Sequence, residues 1–311
     1  MQQNRIKLGI VGVGKIVRDQ HLPSISSNGG YELIATASRN ASIDGVPAYK
    51  DIATMLASEH ELQAVALCMP PQYRYEAARA ALSKGLHVLL EKPPGATVSE
   101  VEQLAQLALE NGVSLFASWH SRHAAAVTKA KHVLAQRKIE SVVLNWKEDV
   151  HKWHPDQDWI WQAGGLGVFD PGINGLSILT HVLPEPAFVS RASLLFPQNK
   201  AAPIAATIEL RTPSNIQISS EYDWRQTGNE LWTIEFGTAQ GKVEIKDGGA
   251  NLLLDGLAVE NIEHSEYGEY ESIYSHFAKL IHSSESDVDL APLKLVADAF
   301  LMGDREVVEA F

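Results

Sequence analysis

Short apolar runs alternate with helical stretches over the first third of the chain. Residues 6–11 form an apolar run that ends against glycine, and the runs at 31–38, 64–68, 87–90 and 113–117 repeat the pattern. Between them, 73–84 has helical spacing with Gly85 just past its end, and 98–111 has it with Gly112 as its stop. Strands alternating with helices predict a parallel sheet covered on both faces. After about residue 120 the pattern changes. A helix is predicted over 124–137 and a strand over 141–149, followed by an irregular stretch rich in Trp and His up to residue 167 and a helix beginning at Pro171. From 188 to 254 the chain reads as consecutive strands, several of which partly alternate apolar and polar residues, so an antiparallel sheet is expected. Helices return at 272–282 and 293–302. The expected architecture is α/β: an N-terminal parallel-sheet domain over 1–120, then an α+β domain over 121–311 built on a mostly antiparallel sheet, which would bind substrate and carry oligomer contacts.

Composition narrows the partners. The net charge is −12, from 38 acidic against 26 basic residues, with no basic patch to override it. Duplex nucleic acid or an anionic membrane would repel that balance. No apolar run approaches the roughly 20 residues of a membrane helix. The N-terminus has no signal-peptide pattern, and the single cysteine, Cys68, permits no internal disulfide. A soluble, cytoplasmic protein is expected.

Candidate chemistry begins directly after the first strand, at Gly9-Ile10-Val11-Gly12-Val13-Gly14-Lys15-Ile16-Val17. Gly12 permits a tight turn, Gly14 lets the backbone approach a pyrophosphate, and the following helix presents unpaired N–H groups to the anion. With a strand before it and a matching strand after it, this loop predicts a Rossmann dinucleotide site in which Gly12, Gly14, Lys15 and Ile16 lie against the cofactor. Val17 replaces the usual third small residue. The second strand ends at Ser38-Arg39-Asn40, where a site selective for NAD usually carries an acid for the ribose 2′-hydroxyl. Ser38 and Arg39 instead suit a 2′-phosphate, so NADP is expected to be preferred and NAD tolerated; a merely solvated Arg39 is the other reading.

Two further motifs follow. Glu91-Lys92-Pro93-Pro94 directly follows the apolar run at 87–90, and Gly164-Gly165-Leu166-Gly167-Val168-Phe169-Asp170-Pro171-Gly172-Ile173-Asn174 comes later. Together with the glycine loop they resemble the glucose–fructose oxidoreductase, inositol dehydrogenase and rhizopine-catabolism family over essentially the whole chain. Asn174 stands where that pattern has histidine, and Met69-Pro70-Pro71-Gln72 resembles the family's cofactor-contacting turn. Trp119-His120-Ser121-Arg122, Trp146-Lys147-Glu148-Asp149-Val150 and Asp223-Trp224-Arg225 are more closely similar to the bacterial members that oxidise L-arabinose and D-galactose at C1. The resemblance implies a nicotinamide-dependent oxidoreductase acting on an aldose, with Glu91 and Lys92 near the cofactor and Lys92, Asp170 and Asn174 as the catalytic set.

Oxidising an anomeric hydroxyl needs a hydride acceptor, a proton acceptor and partners for the remaining hydroxyls. No metal is required, because the nicotinamide carries the redox step. Lys92, in a turn at the ligand-binding edge of the sheet, serves either as a desolvated neutral base or as a cation that acidifies the sugar hydroxyl. Asp170 and Asn174 are four apart and share a helix face, although Asp170 also suits a helix cap with Pro171 at the first position. An amide does not titrate, so proton acceptance shifts towards Lys92, with Asp170 assisting. Glu148 and His154 are candidate hydroxyl partners, Trp153 a packing surface for the sugar's C–H face, and His120 a further sugar contact. Metal binding is the rival reading of the acids and histidines at 148–154, but no ligand-type spacing is present. Oxidation at a ring carbon of a sugar or inositol, and a non-catalytic dinucleotide sensor, are the competing functions. A homodimer is the expected assembly.

One test follows from the end of the second strand. Arg39→Ala is expected to weaken NADP by about 1.5–3 kcal/mol, the worth of a charge-assisted contact, and to leave NAD little changed. KM values for both dinucleotides check this, and equal effects on the two would show that Arg39 does not read the phosphate.

Overall fold

The computed structural model describes residues 5–155, 157–264 and 267–311. They divide into two units, one comprising 5–120 with 267–289, the other 121–264 with 290–311.

The first unit is built on β1 (Ile6–Val11), β2 (Tyr31–Ala37), β3 (Ala48–Tyr49), β4 (Ala64–Leu67), β5 (His87–Glu91) and β6 (Leu115–Ser118), all parallel in the order β3-β2-β1-β4-β5-β6. Helices α1 (Leu22–Ser27), α2 (Ile52–Ser58), α3 (Arg74–Leu82) and α4 (Val98–Asn111) lie between the strands. The strands β4 and β6 are buried throughout, as expected where helices cover both faces of a parallel sheet. In α4, Thr97 and Glu100 make a reciprocal capping box, and Gly112 ends the helix in the left-handed conformation. Before α1, residues Val17–His21 form a π turn in which the Leu22 N–H reaches the Val17 carbonyl. Pro23 follows and has no N–H to continue a regular ladder.

The second unit carries α5 (Val127–Leu134), β7 (Ile139–Lys147), α6 (Val150–Trp153), α7 (Phe169–Val182), β8 (Phe188–Pro197), β9 (Ala205–Arg211), β10 (Gln217–Asp223), β11 (Leu231–Thr238), β12 (Gly241–Lys246), β13 (Asn251–Leu254) and β14 (Leu257–Ala258). The chain then enters α8 (Gly268–Ser283) in the first unit and returns as α9 (Ala291–Met302) and β15 (Gly303–Val308). The sheet runs β14-β13-β12-β11-β7-β10-β9-β8-β15, with β7/β10 and β8/β15 parallel and the other pairs antiparallel. "Mostly antiparallel" therefore describes it, although the central pair is parallel. Sequence pattern could not reveal this, because β7 and β10 are brought together by long-range pairing.

Two expectations change. The segment assigned to the C-terminal domain surrenders α8, whose Tyr270, Ile273, Tyr274, Phe277 and Leu280 recur at helical spacing and share a core with Ile6, Leu8, Ile10 and Phe116. The helix expected at Pro171 begins instead at Phe169, after Val168, and carries no side-chain cap. Asp170 is therefore inside the first turn, not at the cap, and is buried.

In the second unit, α7 packs on β7 and β11. Two of its glycines permit a close approach to the sheet. A Cβ on Gly175 would lie 2.6 Å from Trp146 Cε3, and one on Gly172 would lie 2.5 Å from Tyr222 Cδ1. Gly175→Ala is expected to destabilise by about 1–3 kcal/mol through overpacking, a loss that thermal unfolding would register as a Tm several degrees lower. An unchanged Tm would show that the helix can lift off the indole without cost.

Candidate active site

Main-chain hydrogen bonds tie the turn after β1 to the ends of β2 and β4. The Gly12 N–H donates to the Ala37 carbonyl at 2.8 Å, and the Cys68 N–H to the Val11 carbonyl at 2.7 Å. Gly12 has φ +89°, and a Cβ there would lie 2.6 Å from the Met69 nitrogen, so only glycine fits. At Gly14 a Cβ would meet nothing within 4 Å. The backbone is thus open on the side where a pyrophosphate would approach, just ahead of the helical turn that starts at Lys15. These features fit a dinucleotide. The Lys15 ammonium pairs with Asp19, Ile16 is exposed, and Val17 is fully buried in the core. Beyond β2, Ser38 is half-buried, and the exposed Arg39 lies over the Tyr73 ring, 5.7 Å from its centre.

Met69, Pro70 and Pro71 form the turn after β4 and enter a short 3₁₀ turn over Pro71–Tyr73. Arg74, at the start of α3, is buried, and its guanidinium donates to the carbonyls of Met69, Glu91 and Pro93. One side chain so joins the β4 and β5 turns. The Lys92–Pro93 peptide is cis. The half-buried Lys92 donates its backbone N–H to Glu91 Oε2 at 2.8 Å.

Glu91 is expected near the cofactor, but its carboxylate is directed inward and is only 4% exposed. Its Oε1 accepts from His21 Nε2–H at 3.0 Å and from the Tyr270 hydroxyl at 2.8 Å. Burial pushes this carboxyl up, but the hydrogen bond and charge of His21, with His120 and Tyr270, outweigh it and hold the pKa at about 2. His21 is fully buried, 2.7 Å from the Tyr274 hydroxyl through Nδ1 and 3.6 Å from Cys68 Sγ through Nε2. Burial opposes the imidazolium, yet Cys68, Tyr274 and Glu91 hold its pKa well above the ordinary value. Burial also pushes the Tyr274 phenol up to about 12. His120 stacks on Tyr270 and pairs with Glu269 through Nδ1 at 2.7 Å.

The second unit brings Glu148, His154 and Asp170 together, with Asn174 on the same helix as Asp170. Glu148 is buried just beyond β7, and its Oε2 accepts from Trp232 Nε1–H at 2.9 Å. His154 lies between two carboxylates, with Nε2 3.5 Å from Glu148 Oε1 and Nδ1 3.7 Å from Asp170 Oδ2. Asp170 and Asn174 stand one turn apart on α7. Trp153 is 42% exposed, packs on Trp232 at 5.5 Å between ring centres, and donates its indole N–H to Glu230. Among the described residues, several buried polar atoms here lack a hydrogen-bond partner: Trp146 Nε1, Trp224 Nε1, the Tyr222 hydroxyl, Asn174 Oδ1 and His154 Nδ1. Such atoms are costly inside a protein unless something pairs with them. The described residues contain no group of three or more His, Cys, Asp or Glu side chains arranged to hold a metal ion, and no helix long and apolar enough to cross a membrane.

Sequence reasoning missed Arg74, His21, Tyr270, Tyr274, Tyr222, Trp224 and Trp232 as parts of these clusters. Trp224 had a signal, in the Asp223-Trp224-Arg225 phrase. Trp232 had none, because it meets Trp146 only through the β11/β7 register.

The model of an oxidoreductase family with an NAD-binding Rossmann fold matches residues 6–119. A galactose 1-dehydrogenase of Pseudomonas fluorescens is 44% identical over 306 residues, 98% of each chain. The crystal structure of a D-galactose-1-dehydrogenase protein from Rhizobium etli matches with a TM-score of 0.94 and 57% identity, covering 100% of this chain and 98% of that one. A 3-ketoreductase from Actinomadura kijaniata, in complex with TDP-benzene and NADP, matches with a TM-score of 0.83 at 18% identity over 98% of this chain and 100% of that one, a likeness of fold alone.

Proposed function

The chain belongs to the glucose–fructose oxidoreductase, inositol dehydrogenase and rhizopine-catabolism family of NAD-binding oxidoreductases, and from that premise we propose that it oxidises the anomeric C1–OH of D-galactopyranose and L-arabinopyranose to the aldonolactone. The observation that carries the reading is the buried cluster of the second unit, where Glu148, His154, Asp170 and Asn174 adjoin indole and phenol groups that lack partners. Each sugar hydroxyl can both donate and accept, and a cluster of carboxylates, imidazole, amide, indole and phenol groups pairs with a ring of them. The relatives from Pseudomonas fluorescens and Rhizobium etli, named for galactose, support the same substrate class.

Gly12, Gly14, Lys15, Ile16 and the Met69-Pro70-Pro71 turn would hold the dinucleotide, which when bound supplies the hydride acceptor. Ser38 and Arg39 favour NADP over NAD. The Lys92 amine accepts the C1 hydroxyl proton as the C1 hydride leaves with its electron pair. Asp170 assists through its charge, while Asn174, an amide, only hydrogen-bonds. Glu148 and His154 hold hydroxyls, Trp153 packs on a C–H face, and His120, fixed by Glu269, is a further sugar contact. The same reading places the protein in the cytoplasm as a homodimer.

Lys92→Met keeps most of the side chain's length and removes the amine. The expected fall in kcat is about a hundredfold, as for loss of a general base, with much smaller change in dinucleotide affinity. Turnover like that of the wild type would overturn the role.

The substrate is tested by comparing sugars. D-Galactose and L-arabinose share configuration at C2, C3 and C4 and differ by a hydroxymethyl group at C5, whereas D-glucose inverts C4. Leaving one buried polar group unpaired costs about 1–3 kcal/mol, or roughly tenfold to a hundredfold in kcat/KM. Both favoured sugars are therefore expected well ahead of D-glucose, with the lactone trapped by hydroxylamine. Equal rates on D-glucose would refute recognition at C4, and a keto-sugar product would place the oxidation at a ring carbon.

A further inference from the structure

The first unit buries a polar cluster that the proposed chemistry does not use. His21 sits in the π turn between the glycine loop and α1, fully enclosed. The groups facing it are Cys68 from the end of β4, Glu91 from the end of β5, and Tyr270 and Tyr274 from α8; His120 and Glu269 adjoin Tyr270. Glu91 connects this cluster to Lys92. One carboxylate oxygen accepts from His21 and Tyr270, and the other accepts from the Lys92 backbone N–H.

We propose that His21 is a positioning residue for Lys92, holding the Glu91 carboxylate so that its second oxygen fixes the main chain from which the Lys92 side chain departs. The inference rests on the reading of Lys92 as the proton acceptor. A buried cluster of His, Glu and Tyr is a poor way to gain stability alone, because well-packed apolar residues of the same volume often serve as well or better. Its particular product here is orientation. Without the imidazole, the enclosed carboxylate must take a proton or turn away, and in either case it loses part of its capacity to accept from Tyr270 and the Lys92 N–H together. The Lys92 N–H then loses its fixed acceptor, and the turn that aims the amine loosens. Displacement of a reacting group by about 1 Å can cost a hundredfold in rate.

A double-mutant cycle tests this. His21→Leu removes both ring nitrogens, and His21→Gln restores one N–H towards Glu91. Each is made in the wild-type protein and in Lys92→Met, with kcat expressed per folded molecule, dinucleotide Kd measured separately and folding followed by thermal unfolding. In the wild type, His21→Leu is expected to lower kcat at least about tenfold, with the dinucleotide Kd changed much less, and His21→Gln to recover most of the loss. In Lys92→Met, either substitution is expected to change the residual kcat by less than about twofold, because residues acting through one another are not additive. Full additivity with Lys92→Met would overturn the proposal, as would His21→Leu keeping wild-type kcat per folded molecule. A Lys92→Met protein with wild-type turnover would instead bring down the reading of Lys92, and is seen in that single variant alone. If His21→Leu does not fold, Tyr274→Phe, which removes only the hydroxyl facing Nδ1, carries the same cycle. Wild-type kcat in that variant, or a loss additive with Lys92→Met, would overturn the proposal equally.

Discussion

A carboxylate taken out of water costs several kcal/mol unless donors replace the lost hydration, and Glu91 imposes that demand at the end of β5. Its donors come from three places in the chain: His21 beyond the glycine loop, Tyr270 on α8 and the backbone of Lys92. Satisfying one charge therefore fixes three segments against one another. The segments include the helical turn that follows the glycine loop and the residue proposed as base. This explains why α8, separated from β5 by most of the second unit, belongs to the first. Its apolar stripe fills the core below the sheet, and its two tyrosines close the polar cluster. Arg74 complements this arrangement from the other side by collecting the carbonyls of the β4 and β5 turns.

The second unit meets a different constraint. Its α7 must lie close enough to the sheet for Asp170 to share His154 with Glu148, and bulk at positions 172 and 175 would prevent this. The glycines are thus needed for approach more than for turning, since neither has a positive φ. The parallel pairing of β7 with β10 puts Tyr222 beside Trp146, and β11 adds Trp232 on the other side. The result is a row of ring N–H and O–H groups beneath a helix that presents a carboxylate and an amide.

Much of the first unit was legible because its signals are local. A glycine loop between two apolar runs, Gly112 after a helical stretch and the Glu91-Lys92-Pro93 turn all announce themselves within a few residues. The inward direction of Glu91 was not legible, since it depends on His21 and Tyr270, which are 70 and 179 residues away in sequence. The capping reading of Asp170 failed for a local reason. Pro171 fits the third position of the helix as well as the first, because no N–H of the first turn has an intrahelical partner to lose. In the second unit, Glu148 and His154 were singled out by residue type and Asp170 and Asn174 by the resemblance, and the structure places Glu148, His154 and Asp170 together with Asn174 one turn further along α7. The tryptophans around them were not legible, because strand register decides which indole faces which carboxylate.

The replacement of histidine by Asn174 bears on the site of oxidation. An amide can orient a hydroxyl but cannot take its proton, so a site with Asn174 has one titratable group fewer than the pattern it resembles. That loss matters least at an anomeric carbon. The ring oxygen withdraws electron density from C1, which makes the hemiacetal hydroxyl more acidic than a ring alcohol and stabilises positive charge as the hydride departs. A base held in one orientation then meets a substrate that gives up its proton more readily. The proposed roles of Lys92 and of the buried cluster behind it agree with this chemistry, because a single base whose position is fixed by Glu91 needs no second imidazole beside it.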